Sequence, residues 1–241
     1  MNEIDLHSGS KILFLRSEYI GEFVYGGIDG AITTFAVVAG AAGAGADISW
    51  VLIFGFANLL ADGFSMSVGN YFSNKAEHDN FEKHKAIEYW EIENKRESEV
   101  QEIEDIFRAK GFEGELLDRV VQVITSNNKI WVDTMMKDEL EMIKDTRKPV
   151  STALATFIAF VTVGLIPLSS YLLALWVDLE RDWLFPISCL ATGFAMMFIG
   201  YLKGKVTQAH SLKSIVETVL LGGLAAFLAY FVGEILGSYF N

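Results

Sequence analysis

The sequence has a single cysteine, Cys189, and it lies in an apolar run. One thiol excludes a disulfide framework and a thiolate metal site. Histidine is scarce as well. His7, His78 and His210 fall into no ligand spacing, and His84, four residues before Glu88, reads as an exposed polar side chain. There is no P-loop, no G-x-S-x-G and no H-E-x-x-H, so soluble enzyme chemistry has no foothold. Basic residues are few: 19 Lys and Arg face 31 Asp and Glu, for a net charge of −12. That balance argues against a nucleic-acid partner and favours cations. Residues 1–22 lack a cleavable apolar core, so no signal peptide is expected.

What the chain does have is apolar length, since hydrophobic residues make up 51% of it. Charge is crowded into one interval, Lys75 to Lys148, which holds 19 acidic and 13 basic residues. Around it lie five apolar runs: Phe23–Ala46, Trp50–Phe72, Val150–Val177, Trp183–Leu202 and Ser214–Phe240. Each is long enough to cross a hydrocarbon core of about 30 Å at about 1.5 Å per residue. The expected fold is therefore an all-α membrane protein of five transmembrane helices, with a helical domain inserted between the second and third spans. The expected divisions are an amphipathic arm (1–22), two spans (23–73), the charged domain (74–149) and three spans (150–241).

Lys11 to Glu22 mixes apolar and charged residues and reads as a short helix at the membrane surface. Pro167 is expected to kink the third span. Gly26-x-x-x-Gly30, Gly222-Gly223 and Gly233-x-x-x-Gly237 are positions for close helix packing. Trp50, Trp176, Trp183 and Tyr201 fall at span ends, as interfacial aromatics do. Of the 19 basic residues, 18 fall on one side of this topology and only Arg181 on the other. This places the N-terminus and the charged domain in the cytoplasm. The expected host is the plasma membrane.

Two of the apolar runs carry a carboxylate. Asp29 is the only charge of the first run and Asp62 the only charge of the second. A carboxylate in hydrocarbon costs a few kcal/mol or more, so it faces a partner or a wet path. Asn58, Asp62 and Met66 recur at steps of four, one stripe of a helix. Carboxylate with thioether suits a borderline divalent metal. The competing reading is an interhelical hydrogen bond that only holds the hairpin together.

In the charged domain Asn94-Lys95-Arg96-Glu97 has the capping-box pattern, so a new helix is expected there. Gly111 is the expected C′ glycine of that helix. A third helix is expected over Glu115–Thr125, and a fourth from Asn127-Asn128 towards Arg147, stopped by Pro149. Glu88 and Glu91 form one E-x-x-E pair, and Glu99 and Glu102 a second. On one straight helix the pairs would stand about 16 Å apart, too far for a single metal. A break at Asn94 lets the second fold back towards the first. Met135, Met136 and Glu139 on the last helix add two thioethers and a carboxylate. Carboxylates with thioethers suit Fe²⁺ or Mn²⁺ better than a structural zinc. Taken alone, the same glutamates fit a solvated helix face better than a metal site.

These residues resemble the vacuolar iron transporter (VIT) family. The resemblance runs from about Tyr25 to the C-terminus and includes GGIDGAITTFAVVAG, ADGFSMSVGNY, the Glu-rich insert and MMKDEL. It implies a homodimer of five-span subunits that moves Fe²⁺, and often Mn²⁺, out of the cytosol in exchange for protons. It implies no organic cofactor, and partners limited to divalent metal ions, protons and membrane lipid. The implied metal-domain ligands are Glu88, Glu91, Glu99, Glu102, Met135, Met136 and Glu139. The implied path residues are Asp29 and Met66. The chain departs from the family pattern at Asn58, where a glutamate is expected; Asp62, one turn on, is the candidate for the missing charge.

Two other classes compete with this reading. A membrane-anchored di-metal carboxylate oxidase needs E-x-x-H pairs on bundle helices, and none is present. A membrane-tethered metal sensor has no use for Asp29, Asp62 and Met66 within its anchor.

Overall fold

A computed structural model describes residues 19–207 and 209–240. Most of the expected surface helix from Lys11 lies outside the described residues. Among those residues all regular structure is helical: α1 (Ile20–Gly43), α2 (Ile48–Asn94), α3 (Arg96–Ala109), α4 (Gly114–Thr125), α5 (Asn128–Asp138), α6 (Pro149–Gly164), α7 (Ser169–Leu173), α8 (Arg181–Val206) and α9 (Ser211–Phe240). Four of these helices, α1, α2, α8 and α9, are long and apolar enough to cross a membrane. Helix α6 is apolar but shorter. The chain divides into an apolar unit, up to Tyr71 and again from Arg147, and a charged unit, Phe72–Thr146.

In the apolar unit α1 packs against α6, α8 and α9. Glycines make this possible. A Cβ on Gly26 would lie 2.6 Å from the Thr156 carbonyl oxygen, and one on Gly30 would lie 2.9 Å from Phe160 Cα. The Gly26-x-x-x-Gly30 pair is thus used inside the chain, against α6. Gly237 serves α9 in the same way, 2.8 Å from Ala44 Cα. Polar stitches join α2 to α6: Ser67 Oγ donates to the Ala153 carbonyl at 2.8 Å, and Asn70 Nδ2 donates to Thr156 Oγ1 at 3.3 Å.

Helix α1 ends in a Schellman turn. Gly45 takes φ +68°, and the Ala46 amide bonds back to the Ala41 carbonyl at 2.9 Å. Arg181 completes this end, its Nη2 donating to the Gly45 and Ala46 carbonyls at 2.8 Å each.

The expected third span to Val177 is corrected: the helix breaks instead of kinking. Helix α6 stops at Gly164, and turns lead into the short α7. Pro167 has no N–H to give the Val163 carbonyl, which accepts from the Ile166 amide at 3.0 Å. The Pro167 carbonyl is satisfied by buried Ser188 Oγ at 2.6 Å.

In the charged unit the break after α2 falls where the sequence places it, but the cap differs. Lys95 is the N-cap of α3 and makes no side-chain cap bond. Asn94 turns back instead, donating from Nδ2 to the Trp90 carbonyl at 2.7 Å. Gly111 is the C′ glycine, at φ +94°. Phe112 N–H bonds the Phe107 carbonyl at 3.1 Å, and the two rings meet edge to face at 5.6 Å. Asn127 caps α5 through bonds from Lys129 N–H at 3.0 Å and Ile130 N–H at 3.3 Å. That helix ends at Asp138, well before Arg147, because the Leu140 amide turns back to the Met135 carbonyl and Glu141 takes φ +53°. Ile92, Ile103, Leu117, Trp131, Val132, Met135 and Met136 form the core of the unit.

Candidate functional site

The charged unit brings five of the expected glutamates into one electrostatic neighbourhood. Glu88 and Glu99 are buried, each 3% exposed. Burial lifts the Glu88 carboxyl to about 7, helped by the charges of Glu139, Glu99, Glu91 and Glu102. Burial lifts Glu99 to about 7 as well, with Glu102, Glu91 and Glu139 adding to it and Lys95 opposing. Glu139 is pushed upward by burial and then by Glu102 and Glu91. The break at Asn94 thus leaves the second pair within charge reach of the first.

The donors fit a cation. Glu88 Oε2 and Glu99 Oε2 are buried without a hydrogen-bond partner, a costly state unless a proton or a cation neutralises the group. As placed, however, no three His, Cys, Asp or Glu side chains among the described residues converge closely enough to hold a metal. Glu91 is held by Lys95 at 2.8 Å, and Glu102 accepts from Ser98 Oγ at 3.4 Å. Glu139 is the exposed C-cap of α5. Met135 and Met136, 0% and 2% exposed, sit in the hydrophobic core of the unit. Core filling is a packing use of methionine that the sequence spacing did not separate from a ligand role.

In the apolar unit Asp29, on α1, is close enough to Asp62, on α2, to feel its charge. Asp29 is half-buried and Asp62 exposed. The stripe of α2 divides. Asn58 is half-buried with Nδ2 shut off from solvent and unpartnered, while Met66 packs on the cluster of Val38, Leu59 and Phe160. Gly26, Gly27 and Gly30, around Asp29, are buried against α6 and α8, so the space that these glycines leave is filled by neighbouring helices.

Sequence reasoning missed two features. Glu22, 9% exposed, pairs with Arg147 at 2.7 Å. Arg181 locks the end of α1. A charge at the edge of a span was the only signal for either.

A family model described as VIT family matches residues 20–234. Similar proteins include a vacuolar iron transporter of Toxoplasma gondii, 36% identical over 226 residues, covering 91% of this chain and 75% of the relative. A vacuolar iron transporter 1 of Arabidopsis thaliana is 32% identical over 92% of this chain and 88% of its own. One of Tulipa gesneriana is 30% identical over 93% and 90%. These relatives are named as transporters, in line with the reading of the chain as no enzyme. The motifs, the inserted helical unit and a match across nearly the whole length agree: the chain belongs to the VIT family.

Proposed function

We propose that this chain exports Fe²⁺, and also Mn²⁺, from the cytosol by proton antiport, as a homodimer of five-span subunits. The observation that carries this reading is the Asp29–Asp62 pair, two carboxylates within charge reach of each other, each the only charge of its apolar run, Phe23–Ala46 and Trp50–Phe72. Two like charges in a low-dielectric passage are poorly tolerated without a cation or a proton between them. Metal binding favours the deprotonated carboxylates, and reprotonation expels the metal. One site that alternates between the two ions is the minimum for exchange. Asn58 can coordinate but not titrate, and Met66 offers a soft donor one turn from Asp62. Helix α6, at 16 residues, counts as the fifth span together with the turns and α7 that follow it.

The charged unit is the cytoplasmic capture site. Glu88 and Glu99 supply the buried, unpartnered oxygens. Glu91 must leave Lys95 and Glu102 must leave Ser98 for a coordination sphere to close, with Glu139, Met135 and Met136 as further donors. The host we infer is the plasma membrane. The named relatives are vacuolar, and either location keeps the direction out of the cytosol. The test is metal flux in liposomes with Fe²⁺, Mn²⁺, Co²⁺ and Zn²⁺. Transport of Fe²⁺ and Mn²⁺ by the wild type, and its loss in Asp29→Asn and Asp62→Asn, is expected; undiminished flux in both variants would overturn the path.

A further inference from the structure

Two of the glycines of the apolar unit that have no packing role, Gly193 and Gly223, line the same groove. A Cβ built on Gly193 of α8 or on Gly223 of α9 meets no atom within 4 Å, whereas one on Gly200 would lie 2.8 Å from Ile215 Cα. A glycine inside a helix is unfavourable relative to alanine, and close approach does not account for these two. What they leave is a groove of about 400 Å³ between α1, α8 and α9, lined by Phe35, Met196, Val219, Ala226 and Phe227.

The groove has a polar end. Phe185 and Tyr230 line it and also line a second cavity of about 350 Å³ that contains Arg181, Asp182 and Gly45. The two rings stack at 5.5 Å, with Phe35 next to Phe185 at 6.2 Å, so one aromatic floor runs beneath both cavities. Trp176 and Trp183, 78% and 61% exposed, lie on either side of Arg181 in the chain, the pattern of interfacial aromatics at a span end. From Arg181 to Met196 the path along α8 is about 22 Å at 1.5 Å per residue, more than half of a roughly 30 Å hydrocarbon core. That is the reach of one acyl chain.

The geometry points to a phospholipid site, with one acyl chain in the groove and the phosphate at Arg181. Charge complementarity selects the headgroup. Arg181 is the only Lys or Arg between Phe23 and Phe72 or between Val150 and Leu202. A guanidinium has five N–H donors. Its contacts with the Gly45 and Ala46 carbonyls and with Asp47 at 3.3 Å use three, which leaves donors for a phosphate oxygen. Asp47 and Asp182 place acidic groups beside it, where a zwitterionic headgroup carries its amine.

The inference rests on the membrane reading and not on metal transport, so metal flux and lipid retention fail separately. The test is native mass spectrometry of the detergent-solubilised full chain with dioleoyl phosphatidylethanolamine or with dioleoylglycerol, which lacks the phosphate and the amine. The wild type is expected to retain the phospholipid several-fold more than the diglyceride. Gly193→Leu and Gly223→Leu add side chains whose Cβ meets no neighbour within 4 Å, and they are expected to lower phospholipid retention several-fold without lowering the melting temperature. Arg181→Gln is expected to bring phospholipid retention down to that of the diglyceride. Equal retention of the two lipids by the wild type, or unchanged phospholipid retention in folded Gly193→Leu and Gly223→Leu proteins, would overturn the site. If Arg181→Gln folds poorly, the two glycine variants decide alone.

Discussion

Arg147 Nη1 lies 2.7 Å from Glu22 Oε1, joining the first turn of α1 to the chain just ahead of α6. The Glu22 side chain is 10% exposed and its second oxygen is buried without a partner. Removing the guanidinium leaves a carboxylate that water reaches poorly. Arg147→Ala is therefore expected to lower stability by up to about 3 kcal/mol, with much of the loss regained in Glu22→Gln/Arg147→Ala. Thermal melting of the two variants in one detergent measures this. An additive double mutant would mean that the pair is not coupled.

Close helix contact around Asp29 gives a second expectation. Gly30→Ala puts a methyl group 2.9 Å from Phe160 Cα, so α1 and α6 must part. The expected loss is about 1–3 kcal/mol, the range for overpacking. Gly69→Ala, which meets no atom within 4 Å, is the control and should melt at or above the wild type.

The charged unit titrates. Glu88 and Glu99 have folded-state values of about 7, above the ordinary 4.5. A carboxyl raised by folding stabilises the protein below its unfolded value, and that contribution is lost as pH rises through the folded one. The metal-free chain is therefore expected to melt lower at about pH 8 than at about pH 5.5, with a smaller difference in Glu88→Gln/Glu99→Gln. Metal reverses the sign. Mn²⁺ requires the deprotonated groups, so its affinity rises with pH through about 7 and restores the melting temperature lost there.

Much of this architecture was legible in the sequence because it rests on local signals. Apolar length marks α1, α2, α8 and α9, Gly111 ends α3 and Asn127 starts α5. The break at Asn94 was legible in place but not in mechanism, since Asn94 bonds back to Trp90 where a forward cap was expected. The end of α5 at Asp138 and the break of α6 at Gly164 depend on turn bonds and on Ser188, which reaches Pro167 from 21 residues further along the chain. Spacing could group Glu88, Glu91, Glu99 and Glu102. It could not show that Lys95 holds Glu91, nor that Met135 and Met136 fill a core.

Capture by the charged unit predicts a split between binding and transport. Replacing Glu88, Glu91, Glu99 and Glu102 together with Ala is expected to remove most Mn²⁺ binding seen by calorimetry while flux continues at a reduced rate. Wild-type affinity in that variant would show that the ligands lie elsewhere.

The central claim is exchange of metal for protons at Asp29 and Asp62, and the direct test reads both ions at once. Liposomes holding the full chain and a pH dye are given Fe²⁺ anaerobically under a series of imposed pH gradients. The account predicts that Fe²⁺ entry alkalinises the lumen as protons leave, that an opposing gradient slows entry, and that Asp29→Asn abolishes both signals together. Fe²⁺ entry with no proton movement at any gradient would contradict it, leaving a uniporter in which neither carboxylate titrates.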